Sequence, residues 1–322
     1  MPTAPEESTG KDVKAQYPTR LQSTIEELQQ VNGFVVWSSN RYGSHDILKM
    51  NLPGRQIAQL TSNPASEYFP RVSPDGSQVL FARSREGQTS QRNLTDWNII
   101  LLDLDSAAET LVATNATFPE WIDNTTVSYL YQGTQVVIKT IGSSDAPHVV
   151  HASGQSNMLP EDTLLFTPQF NPKTEHLVFT GRQSRIGMNG GAWGTAVMYN
   201  DGTHKGLYNG CQLFFSSNHN YMYQVTSGGK HDKKGNRFMK IDIESHERTE
   251  LFDFDDDYSH IYFPKDSNDG QYMVFGGSRG DHEHDEADYE IFLWDMDKPP
   301  GYATRLTFHS GNDNWPDIYI HQ

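Results

Sequence analysis

The 322-residue sequence has a single cysteine, Cys211, no long apolar run, and only 25 basic side chains against 41 acidic ones. Each scarcity removes a class of protein. One thiol can form neither an internal disulfide nor a cysteine-rich zinc cluster, so any metal must be held by imidazole and carboxylate groups. A bilayer-spanning helix needs about 18 consecutive apolar residues, and without such a run no membrane span is expected. A formal charge of −16 repels a phosphate backbone, and no basic stripe offsets it, which argues against nucleic acid as a partner. Gly-x-Ser-x-Gly is absent, as is a phosphate-cradling glycine loop ahead of a helix, so no serine-hydrolase elbow and no organic cofactor are expected. Cys211 itself reads as a buried packing residue.

What is present is a repeat. A proline or apolar residue marks the opening of a short strand at Pro70, Pro119, Pro168, Leu213, Pro264 and Pro316, at intervals of 49, 49, 45, 51 and 52 residues. A turn follows in most units, as in Pro74-Asp75-Gly76 and Asn268-Asp269-Gly270. Then come an apolar strand, a variable loop and two further strands. Four-stranded units of this length have two apolar faces that only neighbouring units can cover, which is the logic of a β-propeller. The expected fold is all-β, a ring of six four-stranded blades. After Pro316 there is room for one strand only, and the first segment, from Gly33, lacks one. The C-terminal strand should therefore complete the N-terminal blade and remove both open sheet edges. Residues 33–322 are expected to form this one domain. Residues 1–32 are expected to be a polar tether with a short helix opening at a capping box, Ser23 to Glu26.

The motifs SPDGSQVLFARSR and SNDGQYMVFGGSRG, each followed by an aspartate-terminated strand (NIILLDLD, YEIFLWDMD), resemble the repeat of TolB-type propellers, relatives of the WD-type repeat. More distantly the chain is similar to oligogalacturonate-lyase-type propellers. The resemblance spans about residues 33 to 322. It departs at Pro172-Lys173-Thr174 and Ser217-Asn218-His219, which replace the Pro-Asp-Gly turn. It implies a periplasmic or secreted protein, with any signal peptide already removed, and a monomer. Fold alone does not select among the functions of such propellers.

Propeller topology puts the entries to the innermost strands and the loops between second and third strands on one face, here the upper face. The loop GDHEHDEADYE carries His282 and His284 among Asp281, Glu283, Asp285, Glu286 and Asp288. With His260, which enters the same blade, these imidazoles are candidate ligands for one divalent ion: zinc, manganese, nickel or calcium. His231 and Asp232 are reserves. The alternative is a solvated acidic loop with His260 hydrogen-bonded between blades. Six arginines also open upper loops. A structural pairing is expected for Arg41, Arg83 and Arg279, and Arg85 is left open. Arg182 and Arg185, on the glycine-rich loop that carries Trp193, are candidate ligand contacts. Trp193 could stack on a sugar or pack on a neighbouring loop. Glu67, Asp313 and Asn314 enter innermost strands on this face and are further ligand candidates, and Glu120 completes a possible carboxylate set with little weight. Three glycosylation sequons, at Asn93, Asn115 and Asn124, are near chance frequency.

Two functions follow. One is a binding propeller that presents its upper loops to a glycan or a cell-envelope protein. The other is a metal-assisted lyase on an anionic, uronate-containing polysaccharide, with metal on His260, His282 and His284, carboxylate on Arg182 or Arg185, and His231 or Tyr68 as acid or base.

Overall fold

The computed structural model describes residues 28–155, 159–226, 235–252, 258–279, 282–299 and 302–321. Twenty-four strands form six four-stranded antiparallel sheets. The innermost strands are Asp313–Ile320 in blade I, Glu67–Val72 in II, Ala116–Trp121 in III, Phe166–Asn171 in IV, Gln212–Phe215 in V and His260–Asp266 in VI. In blade I the strand Asp313–Ile320 pairs with Gly33–Ser39, so the two ends of the chain close the ring as the half-units require. The expected helix at Ser23 lies outside the described residues apart from Leu28, which opens a short 3-10 turn, Leu28–Gln30. His231, Asp232 and Asp281 also lie outside them.

The marker prolines do not open their strands; they sit inside them, directly after a bulge. In blades II, III, IV and VI the register of the innermost strand slips by one residue, between Tyr68 and Arg71, Thr117 and Glu120, Phe166 and Gln169, and Tyr262 and Lys265. Blade I has the same slip opposite Val36–Ser38. The residue before each proline is in the left-handed region: Phe69 at φ 58°, Phe118 at 50°, Thr167 at 45°, Phe263 at 55° and Trp315 at 53°. A bulge leaves one residue out of the ladder, and proline, with no N–H to donate, suits that place. Each left-handed non-glycine residue costs about 1–2 kcal/mol, so the surrounding packing has to hold it. Blade V confirms the rule by exception. It carries Leu213 in place of proline, and its strand Gln212–Phe215 pairs in unbroken register with Tyr221–Val225.

These bulges place the core of the ring. Phe69, Phe118, Phe263 and Trp315 are buried and meet across the axis, with centroids 4.4 Å apart for Phe69–Phe118, 5.5 Å for Phe69–Trp315 and 5.7 Å for Phe263–Trp315. The channel is thereby plugged at its middle and left with a chamber at each mouth. Side chains also tie successive blades together. Gln169 accepts from Phe215 N at 2.7 Å, Gln212 from Phe263 N at 2.8 Å and Asp317 from Val72 N at 2.7 Å.

Candidate functional site

The upper chamber, of about 240 Å³, is walled by Phe118, Phe166, Trp193 and Tyr262 together with Gln91, Arg92, Thr167, Thr180, Gln212, His282 and His284. Its existence traces to one position in the repeat. Thr167 stands where blades I, II, III and VI place an aromatic ring in the plug, and blade V has no bulge there at all. The small threonine leaves room on the blade IV side. Trp193 forms that wall, edge-on to Phe166 at 4.9 Å, with the Arg182 guanidinium 4.2 Å from its ring centroid. Arg182 makes one long bond, 3.4 Å, to Gly191 O.

The acidic loop clasps a neighbour. Its Asp285 accepts from Ser90 Oγ and from Gln91 N at 3.1 Å, and its Glu283 pairs with Arg92 at 2.8 Å. Gln91 Nε2 donates to His284 Nδ1 at 2.6 Å. These contacts join the loop of blade II to the loop of blade VI across the intervening blade I. Asn312 fastens the clasp from below by donating to the carbonyls of His284 and Ala287, both at 2.8 Å. Gln91, Arg92, Asn312 and Thr167 escaped the sequence reading. Pairing between loops some 190 residues apart has no periodicity to reveal it.

Of the three histidines, His260 and His282 approach each other, with ring centroids 6.2 Å apart. His284 is wedged edge-on against Tyr262 (4.3 Å) and Phe263 (5.0 Å) with Nδ1 occupied by Gln91. Burial, with the nearby His282, Arg92 and His260, brings its pKa down to about 3. His260 is buried and bonded through Nδ1 to Ser259 Oγ at 3.0 Å. His282 lines the chamber, with Nε2 3.8 Å from Glu283. Among the described residues no group of three or more His, Cys, Asp or Glu side chains is placed to hold a metal ion.

Other sequence candidates are held in the walls. Tyr68 is buried against Trp315 (4.0 Å), His45 (4.9 Å) and Trp97 (5.1 Å), and burial pushes its hydroxyl pKa up. It packs in the wall, outside the chamber lining. Glu67 is ion-paired to Arg83 at 2.6 Å and accepts from Thr61; burial outweighs both and raises it to about 7. Asp313 pairs with Arg41 at 2.7 Å. Asn314 accepts from Trp315 N at 2.9 Å and reaches the His284 carbonyl at 3.4 Å. Arg185 makes a two-pronged pair with Asp162 at 3.0 and 3.1 Å on the outer rim, away from the chamber lining. Arg41 and Arg83 are thus held in ion pairs within their own blades, and not with an aspartate of the next one; Arg85 bonds Asn115 at 2.6 Å, and Arg279 lies 4.7 Å from the Tyr258 ring. Cys211 is half-buried in the chamber wall; burial raises its thiol pKa, partly offset by a hydrogen bond with Tyr262.

Architecture and strand order define a six-bladed β-propeller of four-stranded blades, closed by its C-terminal strand. Within that class the chain is similar in fold to TolB. TolB from Acinetobacter baumannii superposes with a TM-score of 0.59 at 15% identity, covering 89% of this chain and 66% of that one. The chain thus spans just under two thirds of that protein's length. A putative TolB from Agrobacterium tumefaciens gives 0.58 at 14% identity, covering 90% and 98%. An oligogalacturonate lyase in complex with manganese gives 0.49 at 13% identity, covering 88% and 74%. At such identities the likeness is one of fold. No protein-family model matches the sequence, and no curated protein matches it.

Proposed function

We propose that the protein is an extracytoplasmic binding propeller that takes one ring of an acidic glycan in its upper chamber. The observation that carries this reading is the chemistry of the wall. Trp193, Phe166 and Tyr262 offer aromatic surface, and Gln91, Gln212, Thr167 and Thr180 offer neutral hydrogen-bonding groups in the same small space. A sugar has that dual character, an apolar C–H face and a rim of hydroxyls. Arg182, stacked on Trp193 and engaged only by a backbone carbonyl, supplies a cation at the rim that suits a uronate carboxylate.

Calorimetric titration of the full chain with uronate-containing and neutral oligosaccharides tests the reading. Binding is expected for the acidic set. Trp193→Ala should weaken it at least tenfold, and Thr167→Trp, which fills the chamber, should abolish it. Absence of binding across the panel, or binding indifferent to both substitutions, would overturn the proposal. Appearance of unsaturated products during titration would replace it with the lyase reading.

A further inference from the structure

The lower chamber, of about 360 Å³, lies below the aromatic plug and is lined by Arg71, Glu120, Lys265, Asp266, Asp317 and His219, among others. Its volume falls in the range of small-molecule pockets, about 300–1,000 Å³. The residue after each marker proline points here: Asp317, Arg71, Glu120, Gln169 and Lys265 in blades I, II, III, IV and VI. Lys265 Nζ reaches both carboxylate oxygens of Glu120 at 3.0 and 2.9 Å, an ion pair between opposite blades of the ring. Arg71 Nε donates to the same carboxylate at 2.8 Å and its Nη1 to Pro70 O at 2.7 Å. Two cations thus share one carboxylate. Among the described residues Arg71 Nη2 takes part in no hydrogen bond.

The remaining carboxylates have the opposite deficit. Asp317 accepts only backbone N–H groups, from Val72 at 2.7 Å and Ile318 at 3.0 Å. Asp266 accepts from Ser217 N and Oγ at 3.0 Å and from Tyr223 OH at 3.3 Å. Among the described residues neither has a basic side chain in ion-pair contact. Both are more than nine-tenths buried, and burial raises the pKa of each. His219, at the same chamber, is held to about 4 by burial together with Lys173 and Lys265, so its ring is neutral at pH 7. Arg71 and Lys265 act on Asp317, and Lys265 on Asp266, only through space, while both cations are in direct contact with Glu120.

We infer that the lower chamber is a binding site for a small zwitterion of the α-amino acid class, its carboxylate on Arg71 and its ammonium on Asp317 and Asp266. A simple anion would meet three carboxylates, and a simple cation would meet Arg71 and Lys265. A zwitterion adds no net charge to a desolvated space while supplying both missing partners. The site is separate from the glycan chamber, with the plug of Phe69, Phe118, Phe263 and Trp315 between them.

Calorimetry on the full chain with glycine, L-serine and L-leucine, against propionate and propylamine as single-charge controls, tests the assignment. At least one amino acid should give saturable heat, with each control at least tenfold weaker. Asp317→Asn should cost at least tenfold. His219→Trp, which crowds the chamber from its lining and replaces none of the charged groups, should do the same in a protein whose melting curve is unchanged, and so keeps the test open if Asp317→Asn fails to fold. Trp193→Ala should leave amino-acid binding intact. No heat from any amino acid, propylamine binding as well as the amino acids, or indifference to His219→Trp would each overturn the proposal.

Discussion

The two mouths of the channel are built from the same repeat and have opposite chemistry. The upper chamber joins strand residues, among them Phe118, Phe166, Thr167, Trp193 and Tyr262, to Gln91, Arg92, His282 and His284 from the loops above, and it is aromatic and mostly neutral. The lower one is made by the strands themselves, at positions that follow each proline, and it is crowded with buried charge. The loop part of that wall can vary without disturbing the ladder, so it is free to acquire a ligand. Strand positions are shared with the ring's own integrity, and the lower network serves stability whatever else it binds. Both mouths exist because aromatic residues in strained backbone plug the middle.

The sharpest way to break this contrast is to remove Glu120. Among the described residues it is the acid in ion-pair contact with both Arg71 and Lys265, whose side chains are 7% and 13% exposed. Glu120→Ala would leave two largely buried cations without their partner, and truncating one member of such a network costs about 3–5 kcal/mol. Chemical denaturation should show a loss of that order. Thr167→Trp, which fills the upper chamber, should by comparison abolish ligand binding while altering stability far less. Equal destabilisation by both would mean that the upper chamber is as integral to the ring as the lower.

A pair of carboxylates sharpens the comparison through pH. At the upper end, burial raises Glu67 to about 7 from its ordinary 4.5 despite Arg83. Its contribution to stability is fully present below the unfolded pKa and is lost as pH rises from about 4.5 through 7. At the lower end, burial would also raise Glu120, but the Arg71 and Lys265 charges overcome that and hold it at about 2. Its contribution is present above about 4.5 and is lost as pH falls through 2. Melting curves across pH should therefore respond in opposite windows. Glu67→Gln should flatten the decline between pH 4.5 and 7, by on the order of 3 kcal/mol. Glu120→Gln should flatten the acid limb instead. The same window for both would refute the assignment.

How far the sequence revealed these features follows from how each is encoded. The ring, its six blades and its closure were legible because Pro70, Pro119, Pro168, Pro264 and Pro316 recur with the blade period and because the end segments complement each other. The same prolines index the lower chamber. It went unread because the residues after them alternate in sign, from Asp317 to Arg71 to Glu120, and such variation looks like noise until strands are arranged about an axis. At the upper mouth Trp193 and His282 were legible as residues on the right face. The clasp of Gln91 and Arg92 onto the acidic loop was not, because its charges read equally well as a solvated run or a metal site. Tyr68 illustrates a related ambiguity: an entry position on an innermost strand can face the chamber or the wall, and here the ring packs on Trp315.

The smallest effect separates two arginines on one loop. Arg182 lies over Trp193 and has no carboxylate partner among the described residues, whereas Arg185 is paired with Asp162 on the rim, with side chains 47% and 70% exposed. An exposed ion pair of this kind contributes about 0–1 kcal/mol, since solvent screens the attraction and two long side chains lose rotamer freedom. Arg185→Ala should leave the melting temperature within error and glycan affinity unchanged. Arg182→Ala should also leave stability nearly unchanged, but should weaken an acidic glycan more than its neutral counterpart because the rim cation is gone. Calorimetry with matched acidic and neutral oligosaccharides reads this difference directly. If the two substitutions act alike on the acidic ligand, the cation that matters is not at the Trp193 wall, and Arg92, already committed to Glu283, becomes the group to replace.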